Sequence, residues 1–338
     1  MADVYNKAAL TRDWWAGAAA DVDIHIEAYE GDIEGSFEVQ SLFLTRGLTK
    51  FKSVASRSNT WRGDRIGAAV VKGRVSGQTL DGARIANEKM TVTVDTTSYI
   101  RTPFDYQDDW TAPDFQAEIS KEHGIAHAKA FDQAHVIQLI KSAAFVAPAS
   151  LGGSFNDGIS VTMSVVGGAA SDYSTTTDAA AKADLLVQAH KKALTTFIKR
   201  DMADSDFVTL ITPDEFSVLA DHAKLMSIEF QGGMGENDFA RRRVAILNGV
   251  TVIETPRFPT AAIAGHILGS AFDVSAAEAL ACMILFVPSK ALVTVEAKPI
   301  TVRQWDDPKE FQSVLDSYTM YTVGQYRPDA VAVIFKDA

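Results

Sequence analysis

Hydrophobic and polar residues alternate between glycines along residues 49–104, which predicts an extended β-hairpin with little core of its own. Strands are predicted over Lys50–Ser56, Arg65–Val75 and Glu88–Arg101, and the last alternates most clearly. A lone hairpin is marginal in water, and ordering about fifty residues costs on the order of 50–100 kcal/mol. We therefore expect another surface to cover this arm, and the favoured cover is another copy of the same protein.

The pattern then changes to that of one long helix. Thr111 is a suitable N-cap and Pro113 is tolerated in the first turn, so the helix is predicted to run from there to about Phe145, ending before Pro148. Regularly placed alanines keep it thin enough for close packing. We expect this helix to be the spine of the fold.

The remaining segments predict a mixed α/β region on both sides of the spine. Residues 1–45 read as an extended arm anchored by Trp14 and Trp15, with a short helix near 37–43. Thr212 to Glu215 forms a capping box at a helix start. The other predicted helices are Asp178–Met202, Pro213–Met226 and a short one near Lys309–Ser317, and the other predicted strands are Ile159–Val166, Phe207–Ile211, Val250–Glu254, Cys282–Val287, Ala291–Arg303, Tyr318–Val323 and Ala330–Phe335.

Charge is distributed unevenly along the first hundred residues. Residues 1–45 carry two basic and nine acidic side chains, whereas residues 46–101 carry eleven basic and four acidic ones. An acidic arm followed by a basic arm is expected if each meets its opposite on a neighbouring copy. The alternative is two solvated faces whose signs differ by chance. The net charge of the whole chain, −11, argues against strong direct binding of nucleic acid.

Composition narrows the cellular setting. The single cysteine, Cys282, lies in an apolar run and is predicted to be buried, so no intrachain disulfide can form. No signal peptide is recognised at the N-terminus, and no apolar run reaches membrane-spanning length. We expect a soluble protein that folds in the cytosol.

Three histidines on the spine are the strongest candidates for chemistry. His123, His127 and His135 share one stripe with Phe131, and Glu122 lies beside them. A histidine pair four residues apart is compatible with a metal site. No third ligand is indicated, so the favoured interpretation is a polar stripe at a subunit contact.

Other candidate motifs are weaker. Gly232 to Gly235 lacks the Lys-Ser/Thr of a phosphate-binding loop, and Arg241 to Arg243 is interpreted as a solvated or intersubunit edge. Asp201, Asp204 and Asp206 are typical of a helix end and turn. No nucleophile elbow or Cys-x-x-Cys motif occurs. We assign no catalytic, cofactor-binding or metal-binding residue and expect a protein that is not an enzyme and needs no cofactor.

Several stretches together resemble the major capsid protein of tailed double-stranded-DNA phages, the Hong Kong 97 type fold, and look most like the short-tailed podovirus branch. The similar stretches are Ala28–Val39, Arg65–Gly67, Gly73 and Arg74 with Leu80, Glu88–Asp95, and Gly324–Ala330 with its Arg-Pro-acidic turn. The resemblance implies an α+β fold. Its expected parts are an N-terminal arm (1–48), an extended β-hairpin loop (49–105), a peripheral domain with the spine helix (106–177), an axial domain (178–290) and terminal peripheral strands (291–338).

The same resemblance implies a structural function. The chain would self-assemble into pentamers and hexamers of an icosahedral virion shell enclosing double-stranded DNA, without sequence-specific contact and without a membrane. A separate scaffolding protein, a portal protein and possibly a decoration protein would be its other partners, with assembly in the host bacterial cytoplasm. Two alternatives remain open: an encapsulin-like cellular nanocompartment shell, and a metal-dependent enzyme using His123, His127 and a carboxylate.

Overall fold

The computed structural model describes residues 37, 40–54, 58–80, 82–106, 115–163, 173–202, 206–220 and 245–337 of the 338-residue chain. Twelve strands in this part of the chain form a four-stranded sheet, a six-stranded sheet and a separate hairpin. The strands are β1 (Lys50–Ser53), β2 (Thr60–Ile66), β3 (Asn87–Thr93), β4 (Ser98–Asp105), β5 (Ile159–Thr162), β6 (Val208–Ile211), β7 (Ala245–Leu247), β8 (Val250–Glu254), β9 (Ala281–Phe286), β10 (Leu292–Asp307), β11 (Gln312–Gln325) and β12 (Val331–Phe335).

Within the described residues, one α-helix is longer than all the others. The helices are α1 (Leu42–Thr45), α2 (Phe115–Lys141), α3 (Ala179–Lys199), α4 (Pro213–Ala220) and α5 (Pro288–Ala291), with 3-10 turns at Ser142–Ala144, Ala149–Leu151, Ser270–Phe272, Glu278–Leu280 and Pro328–Ala330. Among the described residues, no helix has both the length and the apolar character needed to cross a membrane.

The six-stranded sheet, in the order β5-β12-β9-β6-β8-β7, has helices on both faces. Its central strand β9 is buried along its whole length, so alternate side chains must meet apolar partners on opposite sides. Ile284 and Phe286 pack with the spine helix α2, whereas Met283 and Leu285 pack with α3. The two main hydrophobic cores therefore share this sheet as their common wall.

The four-stranded sheet, in the order β1-β10-β11-β4, is built around the long hairpin of β10 and β11. β1 pairs parallel to β10, and β4 pairs antiparallel to β11. The spine α2 packs against β11, and its residues also share a core with β9 and β12. The spine thus joins the two sheets.

Many sequence-based predictions are confirmed. The spine, the α3 and α4 helices, the strands over β6, β8, β9, β10 and β12, and the burial of Cys282 are all present. The spine ends at Lys141, and a 3-10 turn continues it to Ala144. The predicted start at Thr111 and the end of α4 beyond Ala220 lie outside the described residues, as do Trp14 and Trp15.

Three predictions are wrong, and each error has a physical cause. The predicted helix near Lys309–Ser317 is the start of β11, because pairing with β10 and β4 overrides the local sequence preference. The predicted strand Arg65–Val75 ends at Ile66, which is paired with Asn87, the first residue of its antiparallel partner β3.

The third error is the single strand over Glu88–Arg101. It divides into β3, which pairs with β2, and β4, which pairs with β11 in a different sheet. Val94 lies between them, fully buried, with its N–H donated to the oxygen of Asn59 at 2.7 Å. This contact turns the chain from the hairpin into the sheet. The strands at Lys50–Ser56 and Ile159–Val166 are also shorter than predicted.

Candidate functional site: the extended loop and its base

The β2–β3 hairpin has one face on the body of the protein and one in solvent. In β2, Trp61, Gly63 and Arg65 turn inward, and the residues between them are exposed. Met90 and Val92 of β3 also face inward and join a small core with Val293 and Val295 of β10. Period-two alternation therefore docks the hairpin on the four-stranded sheet. We call β2 and β3 the stem of the extended loop.

Gly324 lets the stem approach the sheet closely. A Cβ atom placed on Gly324 would lie 2.6 Å from Cγ2 of Val92 and 3.0 Å from Cε of Met90. Separations this short are steric clashes, so any side chain here would push β3 away. The glycine near the end of β11 is explained by the stem that covers it.

Arg65 fastens the stem to two neighbouring segments. Its Nη2 donates a hydrogen bond to the main-chain oxygen of Gln325 at 2.8 Å. Its guanidinium lies 5.5 Å from the ring centre of Phe145 and 5.7 Å from that of Phe155, within range of a cation–π interaction. Burial lowers the pKa of Arg65, and the carboxylate of Glu88 opposes that change. Arg65 remains charged at neutral pH because the ordinary pKa of an arginine lies far above 7.

A second arginine, Arg327, lies where the extended loop joins the rest of the protein; we call this place the base of the loop. Arg327 holds the fully buried carboxylate of Asp329 with Nη2 at 2.9 Å and Nε at 3.2 Å. The same guanidinium stacks 4.7 Å from the ring of Phe155 and donates to the oxygen of Ser154 at 2.8 Å. Arg200 adds a bond to the main-chain oxygen of Asp329 at 3.3 Å. The aromatic ring of Phe155 thus lies between the arginine of the stem and the arginine of the terminal turn.

Beyond the base, the extended loop is exposed to solvent. Ser154 Oγ donates to the oxygen of Ile66 at 2.8 Å, and the N–H of Gly67 donates to the oxygen of Ala86 at 2.9 Å. The described residues from Ala68 to Leu80 and from Gly82 to Ile85 are all exposed. We call residues 68–85 the loop tip. Val71 exposes 97% of its surface, and Val70, Val75 and Leu80 of the same segment are also exposed. A group of exposed apolar side chains, unlike a single one, is typical of a contact surface.

The spine histidines are hydrogen-bonded to hydroxyl and main-chain groups of their own chain. His123 lies with Nε2 2.8 Å from Thr102 Oγ1 and Nδ1 3.0 Å from Ser317 Oγ, and His127 Nε2 lies 3.1 Å from the same Ser317 oxygen. His135 bonds the oxygen of Phe131 and the hydroxyl of Thr294. In the described part of the chain no group of three potential metal ligands comes together. Glu122 is exposed, on a different side of the helix from the buried His123.

The prediction that these histidines lie at a subunit contact is wrong. All three are buried inside their own chain, where β4, β10 and β11 cover the spine. Burial lowers the pKa of His127 to about 4 and of His135 to about 4, and it lowers that of His123 as well. They are therefore neutral at pH 7 and serve as hydrogen-bonding links between spine and sheet.

The other candidate residues have structural partners or are not described. Glu215 is buried, pairs with Lys336 Nζ at 2.6 Å and accepts a hydrogen bond from Thr212 Oγ1. Cys282 is fully buried, and burial raises its pKa, so it is not a ready nucleophile. Asp201 follows the end of α3. Asp204, Gly232 to Gly235 and Arg241 to Arg243 lie outside the described residues.

The contacts at the base of the loop were not predicted from the sequence. Arg65, Gly324 and the Arg-Pro-acidic turn carried a resemblance, but their contact with one another was not predicted. The available signal was the alternation of Trp61, Gly63 and Arg65, which places an arginine on the inward face of a strand. An inward arginine needs a partner, and that partner lies about 260 positions away in the chain.

Comparison with known proteins decides the family. No protein-family model and no curated protein sequence matches the chain. The asymmetric unit of the mature capsid of bacteriophage PhiM1 is 41% identical, over 98% of this chain and 97% of that chain, with a TM-score of 0.76. The chain belongs to the family of tailed-phage major capsid proteins. The α+β fold of the Hong Kong 97 type is confirmed with it.

Two more distant structures share the fold of this capsid protein. The capsid of cyanophage P-SCSP1u is 16% identical, with a TM-score of 0.70, over 86% of each chain. A virus-like particle from Pyrococcus furiosus is 13% identical, with a TM-score of 0.52, over 92% of this chain and 99% of that one. As a major capsid protein, the chain is a structural subunit of the virion, and the phage interpretation is stronger than the nanocompartment alternative.

Proposed function

We propose that this major capsid protein assembles into pentamers and hexamers of a closed icosahedral shell around double-stranded DNA, and that its loop tip lies over a neighbouring subunit. The observation that carries the proposal is the contrast between a stem docked by Arg65 and a loop tip that is exposed throughout its described residues. A chain that fastens the base of a loop while leaving valines in solvent presents that loop to another copy.

The shell needs a rigid body and an adaptable periphery. Permanent assemblies bury well above about 2,000 Å² per interface, and one sequence must fit both five-fold and six-fold rings. The shared wall of β9 and the Arg327–Asp329 ion pair support a rigid body. The loop tip supports the adaptable part.

We further propose the division into N-terminal arm (1–48), extended loop (49–105), peripheral domain (106–177 and 291–338) and axial domain (178–290). The spine packing on β11 supports the peripheral unit. The pairing of β12 with β5 supports counting Val331–Phe335 with the peripheral domain. The pairing of β1 with β10 and of β4 with β11 supports counting both ends of the loop with the peripheral sheet.

The partners and setting follow the same proposal. A separate scaffolding protein and a portal protein would direct assembly in the bacterial cytoplasm, a decoration protein is optional, and the phage would be of the short-tailed type. The acidic N-terminal arm would meet basic surface on a neighbour, as the net charge of −7 over residues 1–45 supports. We propose no catalytic role, which the structural engagement of His123, His127 and Glu215 supports.

Electron microscopy of the expressed chain, with the phage scaffolding protein supplied, tests the proposal. The wild type should form closed particles. A matched variant replaces residues 68–85 by Asn-Gly, which can close the hairpin because Gly67 and Ala86 are already hydrogen-bonded. We expect it to fold with an unchanged circular dichroism spectrum and to form no particles. Normal particles from this variant, or a wild type that stays monomeric, would contradict the proposal.

A further inference from the structure

The turn between β7 and β8 contains a pair of residues with distinctive chemistry. Asn248 and Gly249 form the two-residue loop between the paired residues Leu247 and Val250. Asn248 is the only asparagine of the chain that precedes a glycine. The φ angles of the pair, 51° and 80°, are both left-handed, as a type I′ hairpin turn requires. The local sequence is therefore well suited to this tight turn.

An asparagine before a glycine is also open to attack by the backbone nitrogen that follows it. Glycine has no side chain to shield its nitrogen and moves easily between conformations, and asparagine is among the thermolabile residues. Asn248 and Gly249 are both exposed. No atom of the described residues lies within 4 Å of a Cβ placed on Gly249. Water can therefore reach the turn, and the turn has room to change its conformation.

The side chain of Asn248 is held by a buried histidine. Its Nδ2 donates to Nδ1 of His190 at 3.1 Å, and Nε2 of His190 lies 3.0 Å from Oγ1 of Thr209. Because the amide nitrogen can only donate, Nδ1 of His190 is the acceptor, and its proton is on Nε2, which donates to Thr209. His190 on α3 and Thr209 on β6 are fully buried. Two hydrogen bonds thus connect an exposed turn to the interior of the protein.

We propose that Asn248 is a site of spontaneous deamidation and that its hydrogen bond to His190 restrains the reaction. The backbone nitrogen of Gly249 forms a bond to Cγ of Asn248, the Cγ–Nδ2 bond breaks, and ammonia leaves with the proton of the attacking nitrogen. One water molecule then opens the cyclic imide to give aspartate or isoaspartate, so the turn gains one negative charge. Closing the imide ring requires the turn to rearrange and carries the amide away from His190, which is why the hydrogen bond opposes it.

The carboxylate of the product changes the state of His190. A carboxylate and the neutral Nδ1 are both acceptors, so they form a hydrogen bond only after the ring takes up a proton. In the unmodified chain, burial lowers the pKa of His190 to about 4, and no charged side chain of the described residues contributes to that shift. A carboxylate at residue 248 raises this pKa and converts a neutral contact into an ion pair. Isoaspartate also adds a backbone atom to the turn, which disturbs the pairing of Leu247 with Val250.

Peptide mass spectrometry of the purified full-length chain, stored for weeks at mildly alkaline pH, measures the conversion at each asparagine. Asn248 should convert faster than Asn59, Asn87 and Asn156, which precede threonine, glutamate and aspartate and serve as internal controls. In urea, Asn248 should convert faster still, because the unfolded chain lacks both the turn and the hydrogen bond to His190.

Two substitutions test the restraint by His190. His190→Phe removes the acceptor of the Asn248 amide. Thr209→Val removes the partner that fixes the tautomer of His190, and valine keeps the β-branched shape on β6, so this variant decides the question if His190→Phe does not fold. Each should speed conversion at Asn248 in the folded chain by about threefold to tenfold, the range for the loss of one hydrogen bond. Conversion at the three control asparagines should not change.

The variant Asn248→Asp tests the product directly. The ring resonances of His190, followed by NMR during a pH titration of the isotope-labelled chain, should titrate at a clearly higher pH than in the wild type. Asn248→Gly is the matched control, because glycine accepts the left-handed turn and adds no charge. In that variant His190 should titrate close to its wild-type pH.

Three outcomes would overturn the inference: an Asn248 that stays intact as long as the control asparagines, equal rates at Asn248 in the wild type and in Thr209→Val, or an unchanged titration of His190 in Asn248→Asp. None of these measurements depends on particle formation, so they test the turn separately from the proposed shell.

Discussion

The side chain of Val92 rests on the backbone of Gly324, so closely that a Cβ on the glycine would lie 2.6 Å from Cγ2 of the valine. The two residues belong to the stem and to β11, and their contact sets the distance between loop and sheet. Because the stem is otherwise a two-stranded hairpin, this contact and the small core around it give the hairpin the support it lacks alone.

Gly324→Ala should therefore loosen the stem. Overpacking of this kind costs about 1–3 kcal/mol, and we expect a loss of that size in the free energy of unfolding of the unassembled chain, measured in urea. Gly73→Ala is the control, because nothing lies within 4 Å of a Cβ at that position and its φ is not left-handed. Equal stability of the two variants would show that the stem does not pack tightly against the four-stranded sheet at Gly324.

Replacing the arginine of the stem should weaken the base of the loop. Arg65→Lys keeps a charge but loses planar stacking on Phe145 and Phe155, which we expect to cost about 1–2 kcal/mol. Limited proteolysis within the loop should become faster. Arg62→Lys serves as the control, because Arg62 lies on the exposed face of the same strand. The same protection from protease in both variants would argue against the role of Arg65.

The ion pair between Arg327 and Asp329 in the terminal turn should contribute more to the stability of the fold than an ion pair at the surface. Asp329 is fully buried, so Asp329→Asn leaves the Arg327 guanidinium without its counter-charge, and we expect a loss of about 2–4 kcal/mol. Asp316→Asn breaks the pair with the exposed Arg101 and should have a much smaller effect. Thermal unfolding of the two variants side by side measures the difference, and a reversed order would contradict this account.

The buried histidines should make the subunit sensitive to mild acid. The folded pKa of His127 and of His135 is about 4, below the unfolded value of about 6.5, so the unfolded chain binds more protons between these values. The stability contributed by each group is complete above pH 6.5 and declines as pH falls towards 4, by on the order of 2–3 kcal/mol per group.

Urea midpoints at pH 7.5, 6 and 5 would measure this decline. His127→Gln keeps a polar side chain at that position and should flatten the pH profile, even if the variant is less stable at pH 7.5. A wild-type profile that is level from pH 7.5 to 5, or a variant with an unchanged slope, would show that these histidines are already protonated or exposed.

The fold could be predicted from the sequence where local patterns and final contacts agree. The spine and α3 read as helices in the sequence and β9 and β12 as continuous apolar runs, and the structure has helices and buried strands at these places. The start of β11 could not be predicted, because Ser313 and Ser317 are polar yet buried, Ser317 under the spine histidines. Only the tertiary structure explains why a serine faces inward there, and the same contact explains why the histidines are not at a subunit surface.

The base of the loop was harder to predict, since its members are dispersed along the chain. The pairing of β12 with β5 brings Asp329 close to Phe155, and the bond of Arg65 to Gln325 adds the stem. The family resemblance includes Arg65 and the Arg-Pro-acidic turn. Neither spacing nor composition indicates that Arg65 and Arg327 contact the same aromatic ring, that of Phe155. The exposed tip, by contrast, follows directly from a glycine-punctuated sequence with no internal core.

The two ends of the extended loop run into opposite edges of one sheet, since β1 and β4 flank the β10–β11 pair. A trypsin cut after Lys72 or Arg74 would therefore yield two fragments that remain interlocked. The shorter fragment is retained by β1 on β10, by β2 on β3 and by Phe43 in the central core. A subunit cut in the loop tip should migrate as one species on a native gel and separate into two fragments only in denaturant. A cut in the loop tip therefore need not release the subunit from a particle.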